Sequence, residues 1–131
     1  MRAVEGFEQA IERAHAMTEA GADVLFVEAP ETIDEMRAIG SLAAPQVANI
    51  VVGGRTPNVR LEELRGLGFA VALYANAALQ ATIHAVQDVL GVLKAQGSLA
   101  GVEDRLASFT ERQRVVNKDY YDALEARYSA S

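Results

Sequence analysis

Residues 22–30 read Ala22-Asp-Val-Leu-Phe-Val-Glu-Ala-Pro30, and this stretch decides how the rest of the chain is read. Its nearly continuous apolar run predicts a strand over 22–28 that is buried on both faces. That is the pattern of a parallel strand covered by helices, since a half-exposed strand would alternate instead. The run stops at an acid, Glu28, followed by Ala29 and Pro30. In parallel α/β sheets the functional groups sit at the carboxyl ends of strands, where loops vary without disturbing the core. Glu28 therefore stands where such a protein places a site residue. The same acid could instead flank a helix start or pair with a base.

Similar units follow it. Residues 46–51 (Gln-Val-Ala-Asn-Ile-Val) and 69–74 (Phe-Ala-Val-Ala-Leu-Tyr) predict two more strands. The three strand ends, Glu28, Val51 and Tyr74, recur every 23 residues. Helical spacing of apolar residues predicts helices over 7–20, 32–39, 61–67 and 77–95. Gly21, Gly40, Gly68 and Gly97 follow them as helix-ending glycines. Residues 53–57, Gly-Gly-Arg-Thr-Pro, suit only a loop. Residues 102–127 predict an amphipathic helical tail that holds Tyr120 and Tyr121, with Tyr128 just beyond. The tyrosines suit a docking surface better than a cofactor box. The order is a helix, then strand–helix three times, then a tail.

A regular βα period belongs to an open doubly wound sheet or to a closed eight-stranded barrel. The barrel needs roughly 200 residues or more, and this chain has 131. Three strands alone would leave two open edges and an uncovered face. The expected architecture is part of a (β/α)8 barrel over residues 1–101, with a packing or oligomerisation tail over 102–131.

Composition narrows the functions. The net charge is −6 with no basic cluster, so nucleic acid is not an expected partner. There is no cysteine, hence no disulfide frame, thiol nucleophile or thiolate metal site. The beginning lacks the basic-then-apolar layout of a secretory leader, and no stretch approaches the roughly 20 apolar residues of a membrane span. A cytoplasmic protein is the expectation. His15 and His84 fall on predicted helices away from strand ends, and no pair of histidines or acids has metal-ligand spacing.

Three segments in order carry a family resemblance. Residues 6–14 (Gly-Phe-Glu-Gln-Ala-Ile-Glu-Arg-Ala), 19–23 (Glu-Ala-Gly-Ala-Asp) and 26–30 (Phe-Val-Glu-Ala-Pro) resemble the isocitrate lyase and phosphoenolpyruvate mutase superfamily. Residues 48–57 (Ala-Asn-Ile-Val-Val-Gly-Gly-Arg-Thr-Pro) and 67–74 (Leu-Gly-Phe-Ala-Val-Ala-Leu-Tyr) are similar to its next two units. The nearest branch includes 2-methylisocitrate lyase, dimethylmalate lyase, oxaloacetate decarboxylase and the carboxyphosphonoenolpyruvate mutases.

The resemblance implies a Mg²⁺-dependent barrel that makes or breaks C–C or P–C bonds in 2-oxo and 2-hydroxy acids through an enolate. It implies that this chain corresponds to the last three strand–helix units. The family's metal-binding acids, its arginine motif and its gating loop lie on earlier units. By resemblance Glu28 is the strand-end glutamate near metal and substrate, acting on Mg²⁺ through water. Asn49 is the amide that hydrogen-bonds a substrate carboxylate or phosphoryl oxygen, although its side chain could serve neighbouring backbone alone.

Gly53 and Gly54 could offer bare N–H groups to an anion, or form a plain turn, with Arg55 and Thr56 within reach. Tyr74 and Asn76, which flank Ala75 where a proline often stands, are candidate specificity residues. One departure is Val52, at a place where the family pattern carries a glutamate. The expected function is the C-terminal part of a lyase or mutase acting on a small carboxylic acid and inactive alone. A non-catalytic half-barrel for association and a truncated gene product are the alternatives. Expected partners are a second copy or the missing N-terminal half.

Overall fold

A computed structural model describes residues 2–129, so the last two residues of the expected tail lie outside it. The described chain divides into two compact units, residues 1–81 and 82–131.

In the first unit a short helix α1 (Arg2–Glu5) precedes α2 (Phe7–Glu19). Gly6 separates them at φ 97°, a backbone setting that L side chains rarely adopt. Next come α3 (Ile33–Gly40), β1 (Val47–Asn49), α4 (Leu61–Gly66) and β2 (Val71–Leu73). β1 and β2 pair in parallel, with Val47 opposite Val71, Ala48 opposite Ala72 and Asn49 opposite Leu73. A mixed α/β unit with parallel, sequentially ordered strands is what the period predicted.

The expected three-stranded sheet is corrected to two strands and one rung. The segment over 22–28 joins the sheet only through a parallel bridge between Leu25 and Gln46. Leu25 donates its N–H to the Pro45 carbonyl at 2.9 Å and accepts from the Val47 N–H at 2.9 Å. The ladder goes no further. Ala29 takes a left-handed φ of 58°, and Pro30 has no N–H, so the chain leaves the sheet there.

The expectation of strands buried on both faces also fails. Leu25, Gln46 and Ala48 are buried on the side that carries the helices. Across the pleat, Val24, Phe26, Val71 and Leu73 are 44–52% exposed. Apolar runs mark strands that could be covered twice, but this chain covers one face.

That covered face holds the core. Met36 and Ile39 of α3, Leu64 of α4, Leu67 and Phe69 pack on Ala48 of β1 and on Ile50 just after it. A smaller cluster joins Ala14 of α2 with Leu25 and Ala44. Thr32 caps α3, its Oγ1 accepting from the Glu35 N–H at 3.1 Å, while Glu35 Oε2 accepts from the Glu31 N–H at 2.5 Å. This is close to a capping box. Thr32→Ala is expected to cost about 1 kcal/mol, read as a lower urea midpoint with an unchanged slope.

α5 (Ala77–Gln96) spans the boundary between the units and has no buried residue. In the second unit a 3₁₀ turn (Glu103–Arg105) is followed by α6 (Phe109–Val115) and α7 (Lys118–Tyr128). Arg105 pairs with Asp88 at 2.9 Å. The continuous helical tail expected over 102–127 is thus corrected to one turn and two helices. Asn117, at φ 52°, breaks the run, because asparagine tolerates the left-handed region better than other non-glycine residues. No helix among the described residues is long and apolar enough to cross a membrane.

Candidate functional site

The segment ending at Glu28 and β1 ending at Asn49 are neighbours running the same way, so their ends meet at one edge. There the Asn49 Nδ2 donates to Glu28 Oε1 at 3.4 Å, a long contact between an exposed carboxylate and a half-buried amide. The Asn49 Oδ1 is buried and has no partner among the described residues. The pair therefore presents an exposed carboxylate beside an amide whose oxygen is enclosed and unpaired. The expected amide donor to a substrate anion is thus partly committed to Glu28.

The adjoining loop is built as a turn. Gly53 sits at φ 81°, and the Gly54 N–H is used internally by the Val51 carbonyl at 2.9 Å. A Cβ on Gly54 would lie 3.0 Å from that carbonyl oxygen. Of the two glycines, the Gly53 N–H alone is left to meet an anion. Arg55 lies 3.5 Å from Glu31, a pair that ties this loop to the one after Glu28. Both side chains are well exposed, so the pair adds little stability.

Val52 is exposed, and its carbonyl accepts from the Gln80 Nε2 at 3.1 Å. Gln80 lies in the first turns of α5, where its own N–H bonds the Asn76 carbonyl at 2.8 Å. Sequence reasoning missed Gln80. Its only signal is its place just after a strand end, within reach of the neighbouring loop. Tyr74 follows β2, and both it and Asn76 are exposed, with no side-chain hydrogen bond to either among the described residues. The structure brings together Glu28 and Asn49 but shows no direct contact from Tyr74 or Asn76 to that pair.

Among the described residues, no group of three or more His, Asp or Glu side chains could hold a metal ion. One carboxylate and one amide oxygen fall short of the octahedral shell that Mg²⁺ demands. The residues of this chain do not by themselves fit the cation.

The family model for phosphoenolpyruvate phosphomutase matches residues 1–93. The 2,3-dimethylmalate lyase of Eubacterium barkeri is 34% identical over 98% of this chain and 45% of its own length. The chloroplastic carboxyvinyl-carboxyphosphonate phosphorylmutase of Arabidopsis thaliana is 41% identical over 97% of this chain and 38% of its own. A crystal structure of 2,3-dimethylmalate lyase superposes with a TM-score of 0.82 at 28% identity, over 96% of this chain and 44% of that one. A phosphonopyruvate hydrolase solved with oxalate and Mg²⁺ gives 0.76 at 27% identity, over 94% and 44%. The chain thus spans under half the length of the relatives it matches. With its fold and a family match over most of its length, the chain belongs to the phosphoenolpyruvate mutase/isocitrate lyase superfamily of lyases and phosphomutases.

Proposed function

We propose that this chain supplies the last three strand–helix units of an enolate-forming lyase or phosphonate mutase. The substrate would be a 2-oxo or 2-hydroxy carboxylic acid, and turnover would require the remaining units. The observation that carries this is the 3.4 Å approach of Asn49 to Glu28 at adjacent strand ends. In that reading Glu28 accepts or returns a proton at the substrate carbon or hydroxyl. Asn49 holds the carboxylate through its N–H. Tyr74 and Asn76 shape the mouth of the site. Residues 1–101 form the barrel part and 102–131 the packing tail. Mg²⁺, when bound by the completed protein, would stabilise the enolate charge.

Val52 favours a second reading. An apolar residue, 58% exposed, occupies a position where the resembled pattern has an acid. That suits a protein that keeps the half-barrel for association without catalysis.

One experiment separates the two. The part of the E. barkeri lyase that this chain does not match is joined to it. The joined protein and the chain alone are then assayed with Mg²⁺ and a panel of 2-oxo and 2-hydroxy acids. Turnover by the joined protein alone is the expected result. A cooperatively folded but inert joined protein would favour the second reading. Saturable turnover by the chain alone would overturn the requirement for further units.

A further inference from the structure

The loop after β1 turns on a single peptide whose orientation is fixed from two sides. Residues Val51 to Gly54 close a β-turn, the Gly54 N–H donating to the Val51 carbonyl at 2.9 Å. Within it Gly53 sits at φ 81°, while Val52 keeps the ordinary negative φ. That combination is a type II turn. A type I turn would need a negative φ at Gly53, and the primed turns a positive φ at Val52. Types I and II differ by rotation of the central peptide, here the Val52 carbonyl and the Gly53 N–H. Glycine adopts either sign of φ about equally well, so the turn's own residues choose weakly between the two.

A side chain 28 residues away makes the choice, for Gln80 Nε2 donates to the Val52 carbonyl at 3.1 Å. The Gln80 N–H bonds the Asn76 carbonyl at 2.8 Å, so that side chain springs from a helical base. Just before the turn, the Ile50 N–H donates to the Leu73 carbonyl at 2.8 Å, which anchors the loop at its start. The carbonyl and N–H of one trans peptide point in opposite directions. With its carbonyl held toward α5, this peptide keeps the Gly53 N–H on the other side of the loop. A flipped peptide would present the carbonyl oxygen there and repel an anion. Gln80 and Val52 are both exposed, so their hydrogen bond adds little to the stability of the chain. What it sets is placement.

We infer that Gln80 is a positioning residue: by holding the Val52 carbonyl it keeps the turn in its type II form, with the Gly53 N–H as donor to an anionic oxygen of the substrate. The substrate class, a carboxylate or phosphonate, rests on the functional reading above, and the peptide orientation does not.

Two variants separate this from a plain structural contact. Gln80→Met removes the donor while keeping side-chain length, neutrality and helix propensity. Gln80→Lys keeps a donor of similar reach. Proton NMR of the chain reads the turn directly. A Val52 ψ of about +120° brings its Hα close to the Gly53 amide proton, and one of about −30° does not. Gln80→Met should shift the turn toward type I by about 3–10-fold, the worth of one hydrogen bond. Its urea midpoint should stay that of the unaltered chain, and Gln80→Lys should keep the strong Val52–Gly53 cross-peak. Titration with oxalate should move the Gly53 amide resonance downfield in the unaltered chain and less in Gln80→Met. In the joined protein Gln80→Met should raise KM about 3–10-fold and leave kcat within about twofold, because a fixed anion contact serves ground and transition states alike. Should Gln80→Met unfold the chain, Gly53→Ala, which the left-handed φ disfavours, replaces it with the same expectations.

An unchanged cross-peak in Gln80→Met would overturn the inference. So would a Gly53 resonance that ignores oxalate or moves equally in the variant, or an unaltered KM in the joined protein. An inert joined protein sinks the functional reading, and the cross-peak and the oxalate titration then decide the inference by themselves. Turnover by a joined protein with Gly53 unmoved by oxalate does the reverse.

Discussion

Gly68→Ala should lower the stability of the chain by about 2–5 kcal/mol, while Gly21→Ala should cost about 1–2 kcal/mol. Both glycines hold a φ of +98°, so both substitutions carry the left-handed penalty of about 1–2 kcal/mol. Their surroundings differ. A Cβ on Gly21 would meet nothing within 4 Å, whereas one on Gly68 would lie 2.3 Å from the Gly40 carbonyl oxygen. Neither atom can swing aside, because the obstacle is backbone, and forced overpacking adds about 1–3 kcal/mol. The contact is mutual, since a Cβ on Gly40 would lie 1.8 Å from the Leu67 carbonyl oxygen. Urea titrations of the two variants should therefore separate clearly. Equal midpoints would mean that the α3 end and the turn after α4 do not approach as described.

Glu28→Gln should reduce kcat/KM of the joined protein by about 10²–10⁴, the usual contribution of a positioned general acid or base. Asn49→Ala should cost less, about 10–100-fold, because it removes one hydrogen bond to a charged group and leaves the carboxylate in place. The order of the two effects is the check. A joined protein in which Glu28→Gln keeps full activity would remove Glu28 from the reaction.

The helices were legible because their evidence is local. Phe7, Ala10, Ile11, Ala14 and Met17 mark one face of α2, and glycines stop α2, α3 and α5 close to where the pattern ends. The approach of Glu28 to Asn49 was legible too, since neighbouring parallel strands of similar length end side by side. Strand extent was not. An apolar run records which residues tolerate burial, and Val24 and Phe26 fit a covered or an open face equally well. The tail misled for a related reason. Val116, Tyr120 and Leu124 keep helical spacing straight through Asn117, so periodicity alone cannot detect a break made by one backbone angle. Gln80 stayed hidden because its partner is a main-chain carbonyl, which every residue possesses.

The one-sided burial of the sheet makes stability a property of the mixture as well as of the chain. Any polypeptide that binds the folded form and ignores the unfolded one draws the folding equilibrium toward itself by mass action. The gain is about 2.7 kcal/mol when that polypeptide is present at 100 times its dissociation constant. The melting temperature of this chain would then climb with the concentration of whatever covers Phe26, Val71 and Leu73, and dilution alone would lower it.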